Sequence, residues 1–297
     1  MATFDELQIL LLKRTLQAFG VPDTAGKTFQ PATVPDSDQT LWGLFNIIPA
    51  DGPVFVQSGS QFFPAYSAVI GSLVAGHSPF NPITVAKRKL ADWGTKPSAW
   101  SIDEATMLQM LALAPSARFP FSSSGAPETP FWGLWAASPP VDGVAGVLAA
   151  AKLDMTLSFD HLLNFATTPS DWYLSSALAN AYSNKHGAPW DPTSPITWTT
   201  TFGPGGTLVR MPASLIIADT LSITYTSETA FGPGGQAEIL ANAAAGVWPY
   251  YLSSGNATTH ISFDSHGRLT ASITTPAGQP VILAASVLSA SAYLGLG

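Results

Sequence analysis

The sequence predicts an α+β fold, with a helical first part and a β-rich last part, and three observations lead to this prediction. Helix-capping patterns followed by apolar residues at helical spacing recur before residue 190. In the last third, apolar and polar residues alternate with a period of two between glycine-containing turns. A proline-rich stretch, Gly187–Pro195, separates the two patterns. We therefore expect a mainly helical region, 1–190, followed by a β-rich meander or sandwich, 191–297.

The first helical signature is a capping box. Thr3 can cap a helix while Glu6, three residues later, reaches back to it, and Gly20 ends the apolar pattern that follows. The same signature returns at Ser101 and Glu104. Both segments are predicted to be helices.

Two further segments before residue 190 also have helical patterns. A weaker capping pattern from Ser158 to His161 predicts a helix over 162–166. Apolar residues at helical spacing predict another helix over 171–184.

A short tryptophan-containing string occurs twice, as Leu41–Phe45 and Phe131–Trp135, each time after a capped helix and before an Asp-Gly turn. An internal duplication of segments 1–100 and 101–165 explains this order. A chance match of two short strings explains it too, and the sequence leaves both explanations open.

The β-rich region begins with alternation over 196–200 and continues with predicted strands at 208–211, 214–218 and 221–226. A helix-like segment follows over 236–245.

The strongest hairpin prediction lies near the end of the chain. Strands at 260–263 and 268–273 flank the turn Asp264–Gly267, where the aspartate can bond its own backbone and the glycine can close the turn. Residues 281–287 are predicted as the next strand.

Composition and charge argue against several classes of function. Only 10% of the residues are charged, the net charge is −7, and the one basic cluster, Lys87-Arg88-Lys89, would spread around a helix. Nucleic acid is therefore not expected as a partner, because its phosphates require a basic face. The chain contains no cysteine and no glycine-rich phosphate loop followed by a lysine, so we expect no metal–thiolate site, nucleotide or other cofactor.

The catalytic patterns in the sequence are weak. Gly76–Phe80 resembles the nucleophile elbow of α/β-hydrolases, but Phe80 replaces the second glycine, and Pro79 cannot donate an oxyanion hydrogen bond. The three residues that could form a metal or acid–base site are close in sequence near the predicted hairpin. They are His260, Asp264 and His266. The last two are well explained as turn residues, and the other histidines have no metal-binding spacing.

Aromatic residues are the main candidates for binding, because exposed rings stack on sugars or settle at a lipid interface. The chain holds nine Trp, 16 Phe and seven Tyr. The candidates lie beside glycine or proline and are Trp42, Trp132, Trp135, Trp248, Tyr250 and Tyr251. Filling the hydrophobic core is the competing explanation for each of them.

These patterns favour a non-enzymatic interaction protein that assembles with itself or binds a surface, a toxin-like protein among the forms it could take. Its expected partners are glycans, a lipid surface or further copies in a homo-oligomer. The alternatives are an enzyme without a linear motif, a hydrolase or cyclase using Asp and His in an aromatic-lined pocket, and a carrier of small hydrophobic molecules. Acidic residues near the N-terminus argue against a signal peptide. We expect a soluble protein, cytoplasmic or released by a non-classical route.

Overall fold

The structure is a computed structural model, and it describes residues 13, 16, 17, 25–34, 36–52, 55, 57–122, 153–242, 252 and 255–296. The predicted α+β class is confirmed. Within the described residues there are eight helices, nine strands and a mostly antiparallel sheet of seven strands. Strands occur on both sides of residue 190, so the helical character of the first part is only loosely supported.

The helices are short and are distributed along the described chain. They are α1 (Asp38–Asn46), α2 (Phe62–Ser72), α3 (Pro82–Trp93), α4 (Glu104–Ala112), α5 (Ser175–Ser183), α6 (Trp198–Phe202), α7 (Pro233–Asn242) and α8 (Ala290–Tyr293).

The strands include two long ones. They are β1 (Gly26–Thr33), β2 (Ile47–Pro49), β3 (Gln57–Gln61), β4 (Ala117–Ser122), β5 (Leu153–Ala166), β6 (Arg210–Ala230), β7 (Thr258–Phe263), β8 (Arg268–Thr274) and β9 (Val281–Ser289).

Contacts divide the chain into two compact units. Unit 1 comprises Met1–Val34, Gln109–Asn164 and Ile216–Ala284. Unit 2 comprises Pro35–Leu108, Phe165–Leu215 and Ala285–Gly297. Each unit thus contains residues from both sides of position 190, whereas the domain boundary inferred from the sequence stays a prediction.

Most residues of the seven-stranded sheet lie in unit 1. Its order is β1-β9-β6-β5-β4, and β8 joins β6 to β7. The predicted hairpin is confirmed, because β7 and β8 pair in antiparallel register with His260 opposite Ser272. In place of the three strands expected between 208 and 226 there is one strand of 21 residues, β6, and within it Thr220 is a non-glycine residue with a φ of 52°.

The helix predicted over 162–166 is wrong, since these residues belong to the strand β5. The capping pattern at Ser158 resembles a helix start, but burial alternates along the chain: Met155, Leu157 and Phe159 are buried. Phe119 of β4 pairs with Leu157 across the sheet. Pairing with a neighbouring strand therefore outweighs the local capping signal.

The alternation over 196–200 also does not form a strand. Trp198–Phe202 is the helix α6, which begins with a capping box between Thr197 and Thr200. The hydroxyl of Thr197 accepts a hydrogen bond from the N–H of Thr200, and the hydroxyl of Thr200 accepts one from the N–H of Thr197. These reciprocal bonds stabilise the first helical turn and explain why the β-like composition does not form a strand.

The other local predictions within the described residues are confirmed. Helices occur at α4, α5 and α7, and β9 covers the predicted strand over 281–287. The capped helix expected near Thr3 and the second tryptophan string, Phe131–Trp135, lie outside the described residues. The internal duplication therefore stays a prediction.

The core of unit 2 is a cluster of aromatic rings around Trp172, which is fully buried. Its ring centroid lies 4.8 Å from that of Phe63 and 5.8 Å from that of Phe62, both in edge-on geometry. The indole N–H of Trp172 donates a 2.9 Å hydrogen bond to the carbonyl of Ala99. The large ring is thus buried without leaving its polar atom unpaired.

None of the helices in the described ranges combines the length and the apolar character needed to cross a bilayer.

Candidate interaction surfaces

The most exposed large apolar side chain in the described residues of unit 2 belongs to Phe80, which is 88% exposed. It lies in a loop between α2 and α3 that we name the Phe80 loop, residues 74–80. Val74, at the start of the loop, is 51% exposed. Two apolar side chains on one short segment are therefore exposed to water, although burying a phenylalanine side chain is energetically favourable.

Hydrogen bonds hold the Phe80 loop in place at both ends. At its start, the N–H of Val74 donates to the carbonyl of Pro189, with 2.7 Å between nitrogen and oxygen. At its end, the hydroxyl of Ser78 accepts from the N–H of Phe80 at 3.2 Å, and the carbonyl of Ser78 accepts from the N–H of Asn81 at 3.0 Å. The phenyl ring is therefore presented from a tight turn.

Asn81 links this turn to the helix that follows it. Its side-chain oxygen caps α3 by accepting from the N–H of Ile83 at 2.9 Å and from that of Thr84 at 3.4 Å. Pro82 occupies the first helical position, where its missing N–H costs no hydrogen bond. The capped helix thereby fixes the direction in which the loop ends.

The Phe80 loop itself contains no Asp, Glu, Lys or Arg. Lys87 of α3 lies behind it and donates to the carbonyl of Leu73 at 2.7 Å, so its charge is used to cap the end of α2. Hydrogen bonds from Thr193 hold the pKa of Asp191 below its usual value, and the positive charge of Lys87 contributes to the same shift. Lys87 is therefore compensated by an acidic neighbour.

The other two basic residues of α3 also have acidic neighbours. Lys89 lies 3.8 Å from a carboxylate oxygen of Asp171. Arg88 is exposed, and Asp92 follows it by one helical turn. The surroundings of the loop thus hold balanced charges rather than a basic patch.

Trp42 is the one aromatic binding candidate within the described residues. It lies on α1, is half-buried, and donates its indole N–H to the carbonyl of Ile102 at 2.9 Å. This contact gives Trp42 a structural role, and a binding role for it stays a prediction. The remaining candidates, Trp132, Trp135, Trp248, Tyr250 and Tyr251, lie outside the described residues.

The β7–β8 hairpin brings two of the three acid–base candidates together. Asp264 accepts backbone hydrogen bonds from Arg268 at 2.9 Å and His266 at 2.8 Å, and these bonds lower the pKa of its carboxyl group. Nδ1 of His266 lies 4.0 Å from Oδ2 of Asp264. His260 is instead exposed in the middle of β7, opposite Ser272.

In this arrangement Asp264 stabilises the turn of the hairpin. Both of its backbone bonds close the hairpin, and the side chains of Asp264 and His266 are open to solvent. No group of three His, Asp or Glu side chains suitable for a metal ion occurs in the described part of the chain. A catalytic role for His260, Asp264 and His266 stays a prediction.

The outer face of β6, β8 and β7 carries a grid of small polar side chains. Three rows of three residues cross these strands in register, and eight of the nine residues are Ser or Thr. The rows are Ser222, Thr274 and Thr258; Thr224, Ser272 and His260; Thr226, Thr270 and Ser262. The grid has no ion pair, and His260 is its one titratable member.

Sequence analysis did not identify the Phe80 loop as an interaction surface, although the sequence has a feature that points to it. The segment from Gly52 to Ala86 has no Asp, Glu, Lys or Arg, and Pro79 and Pro82 flank the phenylalanine. The pattern alone does not show whether another element covers the ring.

Comparisons with protein-family models, with curated proteins and with solved structures found no match.

Proposed function

We propose that this is a non-enzymatic surface-binding protein that attaches to an uncharged lipid–water interface through the Phe80 loop. The observation that carries the proposal is the 88% exposure of Phe80 on a hydrogen-bonded turn. An aromatic ring at the boundary between headgroups and acyl chains exchanges water for an apolar environment while the neighbouring polar groups remain hydrated.

The energy available from this loop predicts weak, reversible attachment. Burying a side chain such as Phe80 contributes about 1.5–3 kcal/mol, and Val74 adds a similar or smaller amount. A total of about 4 kcal/mol corresponds to a dissociation constant of about 1 mM. Several copies joined in one assembly would bind more tightly, because each attachment after the first is intramolecular.

The charge of the protein indicates which type of lipid surface it would bind. The net charge is −7, and the basic residues near the loop are balanced by Asp92, Asp171 and Asp191. Anionic lipid would therefore repel the protein as a whole without a compensating basic patch. We expect binding to zwitterionic phosphatidylcholine vesicles that changes little with salt, since the binding free energy comes from apolar burial.

The experiment is co-sedimentation of the full chain with phosphatidylcholine vesicles. Phe80→Ser should weaken binding about tenfold or more, the equivalent of about 1.5 kcal/mol or more of lost burial. Leu113→Ser is the matched control, because Leu113 is 87% exposed in unit 1. We expect this variant to bind like the wild-type chain.

Equal losses in both variants, or none in Phe80→Ser, would contradict the proposal. A change in the oligomer size of Phe80→Ser without any vesicle binding by the wild-type chain would assign Phe80 to self-association instead. The toxin-like form of the hypothesis requires permeabilisation as well as attachment, and release of a trapped dye from the same vesicles measures it.

A further inference from the structure

The strand β7 ends the large sheet on one side. It pairs with β8, and no other strand in the described part of the chain bonds to it. An antiparallel strand uses half of its backbone groups toward one neighbour and directs the others away from it. The outer edge of β7 therefore offers N–H and C=O groups to a further strand.

The other two end strands of the same sheet carry residues that oppose such pairing. The sequence of β1 contains Lys27 and Pro31, and that of β4 contains Arg118 and Pro120. Charge and proline are the usual means by which edge strands avoid pairing with other molecules. The six residues of β7 include no Lys, Arg, Asp, Glu or Pro.

The side chains of β7 match those of a second, antiparallel β7. Centring the pair on His260 places Thr258 opposite Ser262 of the partner subunit, so hydroxyls meet hydroxyls on the outer face. On the inner face the same register places Thr259 opposite Ile261 of the partner subunit. Residues keep their faces in this register, as a continuous sheet requires.

We propose that a second copy of the chain pairs with the outer edge of β7 in antiparallel orientation, with His260 at the twofold axis. The interface is isologous, since the same edge is used by both subunits. The inference rests on the residues of β7 and does not depend on lipid binding by the Phe80 loop. Dimerisation would also supply a second loop per assembly.

This register makes the dimer sensitive to pH. Residues directly opposite in an antiparallel pair have Cβ atoms about 4.5–5.5 Å apart, so the two His260 rings would be neighbours. Ser272 and the other residues around His260 on the outer face of β7, β8 and β6 are Ser or Thr. The nearest titratable or charged groups along the hairpin are Asp264, His266 and Arg268, at its turn.

No neighbouring carboxylate in the hairpin strands would therefore compensate two protonated imidazoles. Like charges directly opposite each other destabilise a strand pair. The dimer should therefore weaken at acidic pH, because a protonated imidazole carries a positive charge.

Sedimentation velocity of the full chain at about pH 7.5 and about pH 5.5 tests this inference. We expect a dimer at the higher pH and a shift toward monomer at the lower one. His260→Thr should remain dimeric at both values, because threonine suits a strand and carries no charge. A wild-type chain that is monomeric at both values would overturn the proposal.

A charge-swap pair tests the register directly. The double variant Thr258→Lys/Ser262→Lys places lysine opposite lysine twice and should weaken the dimer at least tenfold. The double variant Thr258→Glu/Ser262→Glu should be weakened similarly, and an equimolar mixture of the two should form heterodimers. Thr226→Lys, on β6 of the same face, is the control that should leave the dimer intact.

Heterodimer formation would also show that both charged variants fold. If each variant stays as dimeric as the wild type, or if the mixture of weakened variants forms no heterodimer, β7 is not the contact and the proposal fails.

Discussion

Tyr66 and Tyr173 pack with their ring centroids 5.0 Å apart, and their hydroxyl groups have opposite environments. The hydroxyl of Tyr66 accepts a 2.9 Å hydrogen bond from the N–H of Leu174. The hydroxyl oxygen of Tyr173 is buried and has no hydrogen-bond partner in the structure as described. Two neighbouring phenols in one core therefore differ in whether burial leaves a polar group unpaired.

This difference predicts opposite effects for the same substitution. Tyr173→Phe should leave the free energy of unfolding unchanged or raise it by up to about 1 kcal/mol, because a buried unpaired hydroxyl is removed. Tyr66→Phe should lower it by about 1–2 kcal/mol, because the N–H of Leu174 loses its acceptor. Urea unfolding of both variants and the wild type measures the two changes, and a larger loss in Tyr173→Phe would contradict the assignment.

Burial of the tyrosines also predicts a loss of stability in alkali. Desolvation raises the pKa of Tyr66 to about 12, from 10.0, and burial raises those of Tyr173 and Tyr293 as well. The folded state thus holds these protons more tightly than the unfolded state does. The stabilisation is complete below about pH 10 and is lost as pH rises through the folded pKa values.

For Tyr66 alone, the expected loss is about 2–3 kcal/mol between about pH 10 and pH 12. Urea unfolding over this pH range measures it, and Tyr66→Phe should make the decline shallower. A free energy of unfolding that stays flat to pH 12 would show that these phenols titrate normally in the folded protein.

Trp172 is the residue whose loss should most damage unit 2. Replacing it with alanine removes the ring that contacts Phe62 and Phe63, and it removes the indole donor to the carbonyl of Ala99, which keeps its bond from the N–H of Ser170. We expect Trp172→Ala to lower the free energy of unfolding by about 3–5 kcal/mol. Trp172→Phe should cost less because it retains most of the packing, and thermal unfolding by circular dichroism compares the two.

The positive φ of Thr220 predicts a stabilising substitution. A β-branched residue with a φ of 52° is strained by about 1–2 kcal/mol. Thr220→Gly should therefore raise the free energy of unfolding by up to about 1 kcal/mol, after the greater chain entropy of glycine is subtracted. Thr220→Ala keeps a Cβ and should gain less. If Thr220→Gly and Thr220→Ala have the same free energy of unfolding, relief of backbone strain at position 220 does not explain any gain in stability.

The hairpin around Asp264 could be predicted from sequence because its geometry is local. The side chain bonds the backbone N–H groups of His266 and Arg268, within four residues. The strand β5 could not be predicted in the same way. Its capping-like start at Ser158 is a local signal, whereas its pairing with β4 depends on residues far away in sequence.

The same limit applies to the candidate surfaces. The exposure of Phe80 depends on whether another element packs over it, and the periodicity of the sequence does not predict such packing. Conversely, Trp42 is followed by a glycine, as the binding interpretation expects, yet its indole N–H donates to the carbonyl of Ile102, which lies 60 residues away. Aromatic content therefore does not identify which aromatic side chain is exposed.

The central claim is that the Phe80 loop enters a lipid interface, and a fluorescent label in the loop tests it most directly. Because the chain contains no cysteine, His77→Cys gives a single attachment site in the loop while keeping Phe80. Ser265→Cys, in the exposed turn of the β7–β8 hairpin, provides the control site. Each variant carries an environment-sensitive dye and is titrated with phosphatidylcholine vesicles.

We expect a blue shift and brighter emission from the label at position 77, little change from the label at position 265, and loss of the shift in His77→Cys/Phe80→Ser. Two results would contradict insertion of the Phe80 loop. One is unchanged emission at position 77 at lipid concentrations well above the expected dissociation constant of about 1 mM. The other is an equal shift at both positions.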